Sequence, residues 1–297
     1  MMLRDREPVE LAVIGGSGLY EMDGLEPLEE LELRTPFGAP SDRVRIGLLS
    51  GRRVAFLARH GRRHRLLPSE INYRANIYAL KQLGVQRIVS ASAVGSLREE
   101  IHPREVVLVD QFVDRTRQRA STFFGEGVAV HVSLAEPTCP ELRQLARAAA
   151  SGVRARVHAG GTYVCIEGPA FSTRAESELF RSWKLDVIGM TNLPEARLAR
   201  EAEICYATLA LVTDYDCWHE DEDQVTVSGV LENLRANVET AATLLRGILE
   251  RVPARGAACG CADALEHAII TPLGAVPAAT AARLRPILGR YLASGDR

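Results

Sequence analysis

Seven short apolar runs punctuate the chain: LAVIGG (11–16), RVAFLAR (53–59), RIVSASAVG (87–95), EVVLVDQF (105–112), GTYVCIEGP (161–169), DVIGMT (186–191) and YATLALVTD (206–214). Each is apolar nearly throughout, with little of the in–out alternation of a half-exposed strand, so each reads as a strand covered on both faces. Between them lie stretches with helical spacing. These predict helices from about Ser69 to Leu83, Cys139 to Ala150, Thr173 to Trp183, Pro194 to Glu203 and Thr226 to Glu250. The first is well punctuated: Pro68-Ser69 precedes it, as an N-cap should, and Gly84 follows it as a stop. Strands alternating with helices predict an α/β fold, a mostly parallel or mixed central sheet flanked by helices.

The 297 residues are enough for one large α/β domain. One plausible linker, Arg251 to Ala264, leads into an Ala- and Leu-rich end that reads as helical from about Pro277. The expected organisation is a domain over 1–253 and an extension over 254–297 packed on it. A formal charge of -2, with cations and acids nearly balanced over the chain, gives no reason to expect nucleic-acid or membrane partners. No apolar stretch approaches the roughly eighteen residues a membrane span needs, and the N-terminus lacks a signal-type apolar segment. A cytoplasmic protein is expected. None of the six cysteines forms a C-x-x-C with H-x-x-x-H at zinc spacing, so no metal is expected.

Candidate chemistry gathers where strands end, which is where open α/β sheets bind ligands. VIGGSGLY runs a strand into Gly15, Gly16, Ser17 and Gly18, a turn whose amides and hydroxyl suit an anion. Arg59 and His60 end another strand, and a guanidinium fork matches phosphate. Ser92 and Ala93, and then Met190 and Thr191, close two more. After the last strand come Asp214 and Asp216, two apart, expected on one side of a strand. Neighbouring carboxyls repel, so one should hold its proton. Such a pair can donate to adenine N7 and accept from its N6 amine, whereas a 6-oxopurine offers two acceptors there. The stretch from His219 to Asp223, four of its five residues acids, reads as a solvated loop.

Taken together, IGGSGLY, TPFGAPSD, LARHGRRHRLLPSEINYRANIYALK, GSLREEI, DQFVDRT, AEPTCP, IEGPAFSTRAES, GMTNLPEA and VTDYDCW resemble the trimeric purine nucleoside phosphorylase family, and within it the 5′-methylthioadenosine phosphorylases, over about residues 11–250. The resemblance implies phosphorolysis of 5′-methylthioadenosine, with inorganic phosphate as co-substrate and no cofactor or metal. It places phosphate on Ser17, Arg59, His60, Ser92, Ala93 and Thr191. The nucleoside would meet Phe171, Met190, Asp214 and Asp216, with Asp214 as catalytic acid at N7. Ser172 and Val227 would tune specificity, and His131 would be lent by a neighbouring subunit of a homotrimer or of two stacked trimers. Ser17 stands where many relatives carry Thr, and Ala170 where they carry a basic residue. The Cys259-Gly260-Cys261 stretch resembles a C-x-C that can be oxidised in heat-stable archaeal relatives, and the same analogy brings Cys139 near Cys205; all four are expected reduced in a mesophilic cytosol. The rival readings are a phosphorylase for 6-oxopurine nucleosides or methylthioinosine, and a nucleoside-binding regulatory protein.

Overall fold

The computed structural model describes residues 7, 9–16, 18–19, 22–219, 227–253 and 259–294. Ser17, most of the linker and the acids from Glu220 to Asp223 lie outside the described residues.

In chain order the strands are β1 Leu11–Gly15, β2 Glu26–Leu31, β3 Val44–Leu49, β4 Arg52–Ala58, β5 Arg87–Ser96, β6 Val106–Leu108, β7 Gln111–Arg115, β8 Val157–His158, β9 Thr162–Ile166, β10 Val187–Gly189 and β11 Cys205–Asp214. The helices are α1 Tyr73–Gln82, α2 Pro140–Ala149, α3 Arg174–Ser182, α4 Asn192–Glu201, α5 Val227–Arg251, α6 Ala278–Arg283 and α7 Arg285–Ser294. All seven expected strands are present, although EVVLVDQF divides into β6 and β7. The sheet is mixed. Its main path runs β2-β3-β4-β1-β5-β10-β9-β7, and β11, β6 and β8 branch from β5.

Alternate side chains of β1 show why both faces are apolar. Ala12 and Ile14 pack into one cluster with Ile77 of α1, Leu198 of α4 and Leu288 of α7. Leu11 and Val13 join a second with Leu142 of α2 and Leu245 of α5. The edge strand β2 escapes the apolar-run signal because it reads EPLEEL and is largely exposed, while β3, VRIGLL, lies between β2 and β4 and is mostly buried. The acids of β2 meet cations of the neighbouring strands, Glu30 with Arg45 at 2.7 Å and Glu29 with Arg53 at 3.2 Å. Charge along an exposed edge discourages further strand pairing.

The first helix starts later than Ser69. Asn72 is its cap, its side chain accepting from the Ala75 amide, and Gly84 follows at φ +84°. The third begins as the sequence reads: Thr173 and Glu176 form a reciprocal capping box. In the C-terminal segment, Tyr78 of α1 donates to the Arg283 carbonyl of α6 at 2.6 Å, and Leu284, Ile287 and Leu288 share the α1 cluster.

β5 positions everything that follows. β1 pairs along one edge of it as far as Ser90, and β10 takes over that edge, antiparallel, from Gly95. The stretch Ala91 to Val94 therefore lies in a seam between two strands of opposite direction, while β11 pairs the other edge continuously past it.

Candidate active site

The seam collects the ends of β1, β4, β5, β10 and β11. At one side stand two hydroxyls. Ser92 Oγ lies 3.2 Å from Thr191 Oγ1, both nearly buried, and the Thr191 amide faces the Tyr163 hydroxyl at 3.4 Å. Ala93 follows, half-buried. Close-set hydroxyls on adjoining strand ends suit an oxyanion ligand.

Arg59 sits beneath them, fully enclosed, and its fork points elsewhere than the sequence suggests. Nε donates to Glu195 Oε2 at 2.8 Å and Nη2 to Glu195 Oε1 at 3.0 Å. Nη2 also reaches Ser90 Oγ at 2.6 Å, and Nη1 donates to the Ala91 carbonyl at 2.9 Å. At least four of the five guanidinium N–H groups are thus engaged inside the protein. The bidentate partner is a carboxylate of the chain's own α4, and Arg59 offers the cleft at most one Nη1–H. Burial alone would lower the arginine's pKa, but the Glu195 charge outweighs it and leaves the cation more firmly protonated than usual. Glu195 is completed by Ser90 Oγ and Tyr206 Oη, each at 2.9 Å.

His60 is a neutral ring. Its Nδ1 lies 2.8 Å from the Leu66 carbonyl, which requires an Nδ1–H and leaves Nε2 as an acceptor. Burial pushes the imidazole down to about 4, and the ring stacks on His64 at 4.1 Å. A second arginine, Arg119, ties the cleft's loops together. Its guanidinium donates to the carbonyls of Met190 at 2.6 Å, Leu193 at 2.8 Å and Glu167 at 2.7 Å, and pairs with the Glu167 carboxylate at 3.2 Å.

At the other side lie Asp214 and Asp216, brought together by a turn rather than by strand alternation. β11 ends at Asp214, and Asp216 opens a single 3-10 turn with φ +53°. The Asp216 amide donates to Asp214 Oδ1 at 2.9 Å, and the Thr213 hydroxyl to Oδ2 at 2.7 Å. Gly95 lies against both: a Cβ there would sit 2.8 Å from Asp214 Oδ1 and 3.3 Å from Asp216 Cβ. The proton expected on one member of the pair falls on Asp216. Burial first, and the Asp214 charge in addition, push its carboxyl up to about 6.

Asp216 Oδ2, Ser172 Oγ and Ser177 Oγ are buried and meet no partner at good hydrogen-bond geometry among the described residues, although the Ser177 hydroxyl stands near enough to the Asp216 carboxyl to favour its ionised form. Cys217 Sγ, next along the turn, reaches the Ser172 carbonyl at 3.2 Å, so the two lie on adjoining segments. A buried polar atom left unpaired is costly, and such atoms beside a cleft mark where a ligand's polar edge belongs. Phe171 stands almost half exposed beside Ser172, an apolar face of the kind a flat ring covers. Gly168 approaches Met190 so closely that a Cβ would meet its sulfur at 2.6 Å.

One expected residue, His131, is not brought to the cleft by this chain. His131 is exposed, and its amide bonds to the Ala268 carbonyl. Val227 opens α5, its side chain outside the description, and Ser17 is not described. His219 is no solvated residue: it stacks on Tyr215 at 4.5 Å and meets Glu99 at 3.3 Å. Glu195, Arg119 and Tyr163 were missed as site-building residues. Glu195 was visible only as an acid inside GMTNLPEA. No group in the cleft has metal-ligand geometry; among the described residues that geometry is found at the far end of β11.

The description "Phosphorylase superfamily" matches residues 10–250. The chain is 57% identical over 285 residues to the S-methyl-5′-thioadenosine phosphorylase of Gloeobacter violaceus, covering 95% of each. It is 56% identical to that of Geobacter sulfurreducens, covering 95% of this chain and 99% of the relative. Among solved structures, a methylthioadenosine phosphorylase from an antarctic soil metagenomic library superposes with a TM-score of 0.90 at 50% identity, covering 95% of this chain and all of that one. A variant adenosine/methylthioadenosine phosphorylase of Schistosoma mansoni in complex with methylthioadenosine gives 0.78 at 37%, covering 84% and 93%.

Proposed function

The chain belongs to the phosphorylase superfamily, among the S-methyl-5′-thioadenosine phosphorylases, and from that premise we propose how its cleft works. The enzyme is a pentosyltransferase. It cleaves S-methyl-5′-thioadenosine with phosphate, reversibly, to adenine and 5-methylthioribose 1-phosphate. The observation that carries the site reading is the pair of unpartnered buried atoms, Asp216 Oδ2 and Ser172 Oγ, beside a second carboxyl and an open aromatic face.

Adenine lies near Phe171 and Met190, with N7 toward Asp214 and its N6 amine toward Asp216, and Ser172 at the base's edge. In the protein alone Asp216 holds a proton more readily than an ordinary aspartate, up to about pH 6. An amine donating to Asp216 favours its ionised form, which frees the proton for Asp214 to present to N7 as the glycosidic bond breaks. Phosphate binds at Ser92, Ala93 and Thr191, with the His60 segment and Ser17 closing over it and Arg59 holding the strand ends in place. Catalysis is then mostly positioning and charge stabilisation. No cofactor is used. Val227 and the partner subunit's His131 would border the 5′ group in a homotrimer, or a pair of trimers, working in the cytoplasm; the exposed Leu179 of α3 and Trp183 at its end fit an interface.

Assays of methylthioadenosine, adenosine and inosine with and without phosphate test the reading. Adenine release that needs phosphate, with inosine a poor substrate, is expected. Phosphate-independent release would make the enzyme a hydrolase, and rapid inosine cleavage would remove the carboxyl pair from base selection. Light scattering tests the trimer.

A further inference from the structure

Four thiols meet far from the cleft. Cys139, the N-cap of α2, Cys205, the first residue of β11, and Cys259 and Cys261 after α5 place their sulfurs within 4.8 Å of one another. Cys205 stands nine residues before Asp214 on one strand, ~30 Å away at about 3.3 Å per residue. Three of the four cysteines are buried and Cys259 is half-buried.

From this arrangement we propose that Cys139, Cys205, Cys259 and Cys261 form a structural site for a single tetrahedral zinc ion. Zinc–sulfur bonds of about 2.3 Å put tetrahedral sulfurs ~3.8 Å apart, a separation that falls within the observed range of the cluster, 3.3 Å to at most 4.8 Å. Cys259 Sγ lies 3.4 Å from Cys139 Sγ and 3.3 Å from Cys205 Sγ. One sulfur equally close to two others fits a corner of a tetrahedron, and both separations are well beyond the roughly 2.0 Å of a disulfide bond. The ligand class follows from hardness: four thiolates select zinc or iron over oxygen-loving cations.

The surroundings match what bound thiolates require. The Leu142 amide, at the start of α2, donates to Cys139 Sγ at 3.4 Å, and Arg200 Nη1 to Cys261 Sγ at 3.5 Å. Such N–H donors orient and stabilise coordinating sulfurs. Binding replaces four S–H protons by one divalent cation, leaving the site two negative charges that the Arg200 guanidinium partly offsets. Cys259, the least buried ligand, gives the ion its way in. The spacing alone could not reveal this, because C-x-C is shorter than the usual zinc pair and the other two ligands come from distant segments.

The test uses the full chain isolated under reducing, oxygen-free conditions. Elemental analysis should find about one zinc per chain, released when an organomercurial titrates the thiols. Cobalt(II) added to zinc-free protein should give the intense visible bands and thiolate charge transfer of tetrahedral sulfur ligation. Denatured with a chelator and no reductant, the chain should titrate all six of its cysteines. The Cys259→Ser/Cys261→Ser variant, altered outside the sheet, should lose the ion and the cobalt spectrum while still cleaving nucleoside. Reduced protein that takes up neither ion overturns the proposal. So does a titration short of six thiols, which would mean disulfides, or full metal retention by the double variant.

Discussion

Gly95 has no room for a side chain beside Asp214: a Cβ would stand 2.8 Å from Oδ1. The glycine is the wall against which the carboxyl pair is set. Gly95→Ala must push Asp214, Asp216 or Ile188 aside, and displacing catalytic groups by even ~1 Å can cost about 100-fold in rate. We expect that loss in kcat/KM with a small change in melting temperature. Wild-type kinetics in the alanine variant would show the pair is not held from Gly95.

Asp214→Asn keeps the acceptor for the Asp216 amide and removes the transferable proton. A general acid contributes typically about 10²–10⁴-fold, so turnover should fall by that range while KM for phosphate stays put. Unchanged turnover would take Asp214 out of proton transfer.

Removing Glu195 leaves Arg59 charged and enclosed without its partner. Breaking a buried pair in this way costs about 3–5 kcal/mol. Glu195→Ala should therefore lower the urea midpoint sharply. A midpoint close to wild type would mean that water reaches the guanidinium.

Asp216 makes stability pH-dependent in a defined sense. Its folded pKa lies above the unfolded value, about 6 against 3.8, so between those values the folded state binds more protons. Its contribution is fully present below about 4 and is lost as pH rises through about 6, a fall on the order of 2–3 kcal/mol. Denaturation of the wild type and of Asp216→Asn at several pH values checks this: the difference between them should change across that window and level off above it. A constant difference would refute the raised pKa.

His60 should stay neutral down to about pH 4. Imidazole nitrogen shifts measured by NMR should show an Nδ1–H tautomer unchanged from pH 8 to 5. A midpoint near the ordinary 6.5 would mean the ring is a cation available to phosphate at physiological pH.

The buried strands and most helix boundaries were legible because burial on both faces writes itself as unbroken apolar runs. The edge strand β2 was not, since a solvated edge selects charge. Position at a strand end singles out Ser92, Thr191, Asp214 and Asp216, which the fold brings to one seam, but strand position does not explain how the last two meet. Strand alternation would have put them on one face; an Asx-type turn with Asp216 at positive φ does it instead. Arg59 was found but its partner was not. Local sequence shows that a guanidinium is present, while only the fold, 136 residues along, reveals Glu195 within 2.8 Å. The thiol cluster is the same problem in sharper form, three separated segments meeting at one point.

The Arg59–Glu195 pair also decides how an anion is attracted. Arg119 is matched by Glu167, and His60 is uncharged, so these three basic side chains bring little net positive field to the seam. Phosphate would be held by short-range hydroxyl and amide dipoles more than by long-range attraction. Added salt screens charges over distances of about 8–10 Å at physiological ionic strength but leaves such contacts nearly untouched, so the enzyme's grip on phosphate should be largely indifferent to the ionic strength of its surroundings.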